Sequence, residues 1–323
     1  MSQELFDKAV RLEEEGKNEE ALAVWQELAK TNPTRNVFLC LASVAKDLGF
    51  KDEAERAFKR ALEIDERSTH ALKGLGILAI DAADYQAAVE YLSRASAIEE
   101  DPGGLSLLGV ALKNIGEPLE AEVEFRRAIR INPDYEEAYF NLATLFTQDR
   151  PSEAHALLRK AIELDPEYAA AHRELGFLLM KRSADGDAER HLRKAVTLDP
   201  NDGWASIYLG TYLWLSKNVH AAIEEFQRAK SLEPNWAVPL WSLGNIYDQE
   251  SIDLEIAQSF FERALAFQPD NWNALKGIAR VHNKQGRFAL AKEFITRALQ
   301  QHPKHAQSLE LLKQILSREA GDR

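Results

Sequence analysis

One alanine recurs along this chain of 323 residues at steps of 33 to 35 residues. A fixed period of this size indicates one small supersecondary unit stacked on copies of itself. Each unit in such an array packs only on its neighbours, so the chain length does not predict separate globular domains. We therefore expect one elongated body whose function resides in the differences between copies. The repeated alanines are Ala21, Ala54, Ala88, Ala121, Ala154, Ala188, Ala222, Ala257 and Ala291.

Two other columns of small residues accompany this alanine, which occupies repeat position 20. Position 8 is always Gly or Ala, and position 27 is Ala in every copy except the first, where Leu28 stands. Positions 20 and 27 are close to two helical turns apart, so both lie on one helix face. A large apolar residue such as Phe58 or Phe125 stands between them at position 24. Small and large surfaces that alternate in this way predict two closely packed helices in each copy.

Proline occupies repeat position 32 in seven copies, where it ends the second helix, and Glu66 and Glu100 replace it in two others. Together with the small, large and alanine columns, this pattern resembles the tetratricopeptide repeat. The resemblance extends from Ser2 to His305. It implies an all-α fold, a right-handed superhelix (solenoid) of antiparallel helix pairs. Helix A of each pair would line a concave groove, and helix B would form the convex side.

We expect nine repeat units followed by one further helix. Beyond His305, apolar residues from Ala306 to Leu316 recur at helical spacing, which predicts an amphipathic helix over 306–318. This helix should cap the array with a polar outer face, and residues 319–323 are predicted as a tail. The predicted units are 2–34, 35–68, 69–101, 102–135, 136–168, 169–202, 203–236, 237–271 and 272–305.

The net charge of −12 is concentrated in the first half of the chain. Residues 1–168 hold 20 Lys and Arg against 33 Asp and Glu, and residues 169–323 hold 20 against 19. An acidic first half repels a phosphate backbone, so no nucleic-acid partner is expected, and the acidic excess can equally serve solubility. The single Cys40 excludes an internal disulfide and is consistent with a reducing compartment. We find no secretory signal and no membrane-spanning run, and expect a cytoplasmic protein without membrane insertion.

No motif of catalysis, phosphate binding or metal binding occurs in the sequence, so we expect no catalytic residue, no cofactor and no enzyme activity. His302 and His305 lack a Cys, Asp or Glu at ligand spacing and are expected to be exposed surface residues. His172 and His282 occupy positions that usually pack, so they are expected in the core or at the edge of the groove.

The resemblance implies that repeat positions 2, 5, 6, 9, 12 and 13 of helix A face the groove. These positions are mostly acidic in copies one to three, rich in aromatic residues in copies five to eight, and basic in copy nine. Trp236 and Trp272 lie at junctions between units and are expected to pack there. The predicted peptide-binding residues are Phe140, Asn141, Thr144, Arg173, Phe177, Trp204, Tyr208, Thr211, Trp214, Trp241, Asn245, Lys276, Arg280 and Lys284.

Aromatic rings provide large contact areas with few rotatable bonds and dominate binding hot spots. A basic stripe beyond them can hold an acidic or C-terminal carboxylate end of a peptide. Two alternatives to ligand binding stay open. The rings can instead pack against neighbouring helices, and the basic residues can instead form an ordinary solvated helix face. We expect a scaffold or adaptor that binds an extended or helical segment of another protein. Other possible functions are the recognition arm of an enzyme, such as a glycosyl- or sulfotransferase, and self-assembly into a homo-oligomer.

Overall fold

The computed structural model describes residues 2–182 and 186–321, which contain nineteen helices and no strand. The chain forms two compact units, Met1–Pro166 (unit 1) and Glu167–Arg323 (unit 2). The helices of unit 1 are α1 (Ser2–Glu14), α2 (Asn18–Thr31), α3 (Arg35–Asp47), α4 (Lys51–Ile64), α5 (Thr69–Asp81), α6 (Tyr85–Ile98), α7 (Pro102–Asn114), α8 (Pro118–Ile131), α9 (Glu136–Phe146) and α10 (Pro151–Leu164). The helices of unit 2 are α11 (Ala169–Arg182), α12 (Gly186–Leu198), α13 (Gly203–Leu215), α14 (Val219–Leu232), α15 (Ala237–Gln249), α16 (Leu254–Phe267), α17 (Trp272–Lys284), α18 (Phe288–Gln301) and α19 (Ala306–Gly321).

Within each unit, every odd-numbered helix up to α17 packs most extensively on the even-numbered helix that follows it. These odd helices are therefore the A helices, and the even helices are the B helices. The predicted all-α fold of repeated helix pairs is confirmed in each unit. The repeat columns continue across Pro166 without a change that marks a boundary between the two compact units. The single elongated body stays a prediction.

The turn between helices A and B reverses the chain through one residue in the left-handed region. Gly116 has a φ of 88°, and the next N–H, of Glu117, donates to the carbonyl of Leu112 at 3.0 Å. This bond satisfies a carbonyl at the end of the A helix that has no partner inside the helix. Ala83 occupies the equivalent position with a φ of 57°, although its side chain disfavours this conformation.

Side-chain caps begin several A helices. Asp101 Oδ1 accepts from Gly104 N at 2.9 Å, and Asp202 Oδ1 accepts from Ala205 N at 3.1 Å. Each bond satisfies one N–H at the start of a helix that has no partner within the helix. Asp101 caps α7 directly after one of the two junctions that lack proline, so this junction still begins its helix at a defined residue.

The small-residue column at repeat position 8 lies where helix B comes closest to helix A. A Cβ atom on Gly176 would lie 2.7 Å from Leu192 Cγ and 3.1 Å from the backbone N of Leu192. On Gly109, a Cβ atom would lie 2.6 Å from Phe125 Cε1. Both distances are below van der Waals contact, so the large residue at position 24 fills the space that the missing side chain leaves.

Helix α19 packs on α17 and α18 and is longer than predicted. It continues to Gly321, so residues 319–321 are helical where a tail was predicted, and residues 322–323 lie outside the described residues. Its exposed face is mainly polar and includes Gln307, Glu310, Lys313, Gln314 and Arg318. Leu309 and Leu316 lie on the same face, 46% and 43% exposed.

We expect Gly176→Ala to lower the free energy of unfolding by about 1–3 kcal/mol, because the added methyl group overpacks the contact with Leu192. The matched control is Gly186→Ala in the same repeat, where a Cβ atom would have no neighbour within 4 Å. That control should be neutral or raise the stability by up to about 1 kcal/mol through helix propensity. Urea unfolding followed by circular dichroism measures both changes. Equal midpoints for the two variants would contradict the close-contact argument.

Candidate functional site

Three of the predicted groove residues lie on α9 in unit 1, and two of them connect α9 to α7. Asn141 Nδ2 donates to Ser106 Oγ at 3.1 Å, and Lys113 Nζ donates to Thr144 Oγ1 at 2.8 Å. Phe140 is half-buried on the same helix. The polar pair is engaged in packing between neighbouring A helices. The remaining eleven predicted residues belong to unit 2, so the two sets are described separately.

Four aromatic side chains form a continuous row in unit 2, which we name the aromatic ladder: Phe177, Tyr208, Trp204 and Trp236. The Phe177 and Tyr208 rings stack with centroids 4.3 Å apart and planes at 17°. Trp204 lies 5.7 Å from Tyr208 and 4.8 Å edge-on from Trp236. The ladder therefore joins α11, α13 and the residue that precedes α15.

Exposure differs along the ladder. Phe177, Tyr208 and Trp236 are half-buried, whereas 46% of the Trp204 surface is exposed. Trp236 was expected to pack at a junction, and it does so: a Cβ atom on Gly203 would lie 3.0 Å from its ring. It also contacts the Trp204 ring. The sequence did not predict this contact, because Trp236 lies outside helix A and was not among the groove positions.

Charged residues border the ladder on α11. Arg173 NH1 donates to Asp202 Oδ2 at 2.5 Å and NH2 lies 3.1 Å from Glu174 Oε1, so this predicted groove residue is held in ion pairs. Burial, and secondly the charge of Glu174, raise the pKa of Tyr208, which keeps its hydroxyl neutral. Lys181 Nζ lies 4.9 Å from the centroid of Phe177, within the range of a cation–π contact.

The other predicted residues of α13 and α15 are engaged in packing. Trp214 Nε1 donates to Glu250 Oε1 at 2.8 Å, and Thr211 Oγ1 donates to the carbonyl of Ile207 at 2.7 Å. Trp241 is half-buried against the apolar cluster around Phe261. Trp214 and Trp241 therefore contact neighbouring helices, whereas the hydrogen bond of Thr211 lies within α13.

Two of the three predicted cations on α17, Lys276, Arg280 and Lys284 (the basic stripe), belong to a buried ion cluster. Asp248 on α15 is fully buried and accepts from Arg280 Nε on α17, and Lys284 Nζ lies 2.8 Å from its Oδ1. Arg280 NH2 also donates to Asn245 Oδ1 at 2.8 Å, which places this predicted residue in the same cluster. Two of the three predicted cations are thus paired inside the protein. Asp248 was not named as a site residue from the sequence. It nevertheless stands at position 12 of its copy, which is one of the predicted groove positions.

Lys276, the third cation of the stripe, contacts neutral groups and is not part of the ion cluster. Its Nζ lies 4.8 Å from the centroid of the Trp272 ring and donates to Gln307 Oε1 at 3.4 Å. Burial, and secondly the charge of Arg280, lower the pKa of Lys276.

The histidines considered as ligands have packing contacts. His302 and His305 both lie edge-on to Trp272, at 4.8 and 4.7 Å, with His302 exposed and His305 half-buried. His172 and His282 are buried. Over residues 2–182 and 186–321, no group of three His, Cys, Asp or Glu residues is placed to hold a metal ion. In the same ranges, no helix has the length and apolar character needed to cross a membrane.

Known sequence families and structures agree with the repeat. Three models described as tetratricopeptide repeat match the chain, one over residues 253–321, one over 39–104 and 144–203, and one over 104–135. None of the curated protein sequences matches it.

Two solved structures share the fold. The crystal structure of the APC/C hetero-tetramer Cut9–Hcn1 is similar at 19% identity and a TM-score of 0.66, over 92% of this chain and 59% of that one. A monomeric mutant of IFIT1 with Gppp-AAAA is similar at 17% identity and a TM-score of 0.55, over 82% and 69%. This chain thus spans less than two thirds of the matched chain in the first structure. At identities of 19% and 17%, the similarity supports a shared fold and no shared function.

We expect Asp248→Ala to lower the free energy of unfolding by about 3 kcal/mol, because it leaves two cations without their buried partner. The matched control is Asp187→Ala, which removes an exposed ion pair with Arg190 at 3.1 Å and should change stability little. Thermal and urea unfolding measure both variants. If Asp248→Ala loses no more stability than the control, the ion cluster does not make the expected contribution to the free energy of unfolding.

Proposed function

We propose that this chain, which belongs to the tetratricopeptide repeat family, is a non-catalytic scaffold that binds a segment of a partner protein on the aromatic ladder of unit 2. The observation that carries the proposal is Trp204, a large apolar side chain that is 46% exposed and still held by two aromatic neighbours. Repeat scaffolds bind through extended surfaces of this kind.

The arrangement around Trp204 favours binding for an energetic reason. A side chain that is already ordered loses little conformational freedom when a ligand covers it, so more of the contact energy is retained. Tyr208 on one side and Trp236 on the other restrict the indole before any ligand arrives. Tryptophan and tyrosine are also the residues most often found at hot spots.

The ladder also defines the chemistry of a suitable ligand. Stacked rings accept aromatic, aliphatic or proline side chains, and the neutral Tyr208 hydroxyl can donate to a backbone carbonyl. An extended segment or one face of an amphipathic helix can present such groups in register. Arg173 is then a supporting residue, because its guanidinium is already engaged with Asp202 and Glu174.

The remaining predicted residues are assigned to support of the scaffold. Trp214, Trp241 and Asn245 contact neighbouring helices in unit 2, Thr211 bonds within α13, and Lys284 pairs with Asp248. The α9 residues Phe140, Asn141 and Thr144 form a separate surface in unit 1, for which we propose no ligand. A cytoplasmic location stays a prediction from the sequence.

The similar Cut9–Hcn1 structure is a hetero-tetramer by its description, which is consistent with a role of this fold in protein assemblies. At 19% identity, the partner of Cut9 is not assigned to this chain. A ligand for this chain must therefore be found by selection on the chain itself.

We expect Trp204→Ala to weaken peptide binding about 30-fold, which corresponds to a hot spot of about 2 kcal/mol. A random peptide library displayed on phage is selected on the full chain, and the enriched peptides are synthesised. Fluorescence anisotropy then gives the Kd of each peptide for wild type and variant.

The matched control is Phe267→Ala, which removes a side chain that is 44% exposed on the B helix α16. It should leave the Kd unchanged. If no peptide is enriched, or if the enriched peptides bind Trp204→Ala as tightly as wild type, the ladder is not the binding surface. Circular dichroism confirms that both variants remain folded.

A further inference from the structure

Helices α17 and α19 together form a cavity of about 440 Å³. Leu311, which is buried against the core of unit 2, supplies an apolar wall. Polar groups from both helices surround it: Lys276 and Arg280 from α17, and Gln307, Glu310 and Gln314 from α19. A concave apolar wall with a few convergent polar groups is typical of a ligand site.

The ammonium group of Lys276 is half-buried in this cavity and has only neutral partners. It donates to the Gln307 amide oxygen at the long distance of 3.4 Å and lies over the Trp272 ring. Within residues 2–182 and 186–321, no carboxylate lies within ion-pair distance of it. Buried charges are normally paired, so a half-buried cation without a counter-charge favours an anionic ligand.

The groups around Lys276 do not supply the missing negative charge. Among the described residues, the fully buried carboxylate of Asp248 is shared between Arg280 and Lys284. Glu310 also lines the cavity, but within the described residues its carboxylate forms no ion pair with Lys276 and accepts from Gln314 Nε2 at 3.5 Å.

The pKa of His305 is lowered by burial and secondly by the charge of Lys276. The second cause shows that the positive charge of Lys276 lies close to His305. Of the two cations that line the cavity, Arg280 is paired with Asp248, and Lys276 has no carboxylate partner among the described residues.

We infer that the cavity between α17 and α19 binds an acidic side chain of a partner protein, with Lys276 as its ion-pair partner. An apolar residue next to the acidic one packs on Leu311, and the side-chain amides of Gln307 and Gln314 are available as further donors. The inference rests on the proposed function, because the ligand is again a protein segment.

The test uses two acetylated and amidated probe peptides, Leu-Glu-Leu-Glu-Leu and the neutral Leu-Gln-Leu-Gln-Leu. Both are titrated into the full chain, and NMR follows the indole N–H signal of Trp272, assigned with Trp272→Phe. Because Lys276 lies over this ring, its movement toward a carboxylate should shift the signal. We expect a saturable shift with the acidic peptide and none with the neutral one.

Lys276→Gln should lower the affinity for the acidic peptide about 10-fold, which is the usual effect of losing one charge-assisted hydrogen bond. Lys292→Gln, which alters an exposed lysine on the neighbouring helix α18, should leave the affinity unchanged. Equal responses to both peptides, or an unchanged affinity with Lys276→Gln, overturn the inference. Inorganic phosphate that shifts the signal as strongly at the same concentration also overturns it, because the cavity would then be a general anion site.

The variant Trp204→Ala in the same titration separates the two proposals. An unchanged response in this variant, together with a loss in Lys276→Gln, assigns the acidic peptide to the cavity. A loss in Trp204→Ala alone overturns the cavity inference and leaves the aromatic ladder as the binding surface.

Discussion

The close contact between helix A and helix B within each repeat is the constraint on which the remaining structure depends. A Cβ atom on Gly76 would lie 2.5 Å from Leu92 Cγ, and one on Gly210 would lie 3.0 Å from Phe226 Cε1. Neither partner can grow or shrink without overpacking or a void. The variation between copies is therefore directed to positions outside this contact, and the groove positions of helix A are among them.

This constraint also explains how much of the fold the sequence predicts. The columns of small and large residues describe contacts between neighbouring helices, so they predict the helix pairs and their order. They carry no information about where a compact unit ends, and nothing in them marks the division at Pro166. At α19, the polar residues Glu310 and Lys313 are exposed beside Leu309 and Leu316, so the apolar spacing predicts the helix but not which of its leucines stay uncovered.

For the candidate site, the sequence predicts positions but not partners. Arg280 was correctly placed on the groove side of its helix, yet its partner Asp248 lies 32 residues away in the preceding copy. Trp214 and Glu250 are likewise 36 residues apart. Separations close to one repeat period make such pairs neighbours, so comparing nearby positions of adjacent copies would have found them as candidates. Which atoms meet depends on side-chain rotamers, and these are determined only by packing in three dimensions.

The paired and unpaired groove residues have complementary roles. Ion pairs such as Arg173 with Asp202 connect neighbouring A helices and hold them in a fixed relation. Because these residues are satisfied within the protein, they offer a ligand little new interaction. Trp204 and Lys276 lie beside such pairs and are less satisfied, one as an exposed ring and the other as a half-buried cation. Binding energy should therefore concentrate in these few side chains, while the paired residues keep them in place before a partner arrives.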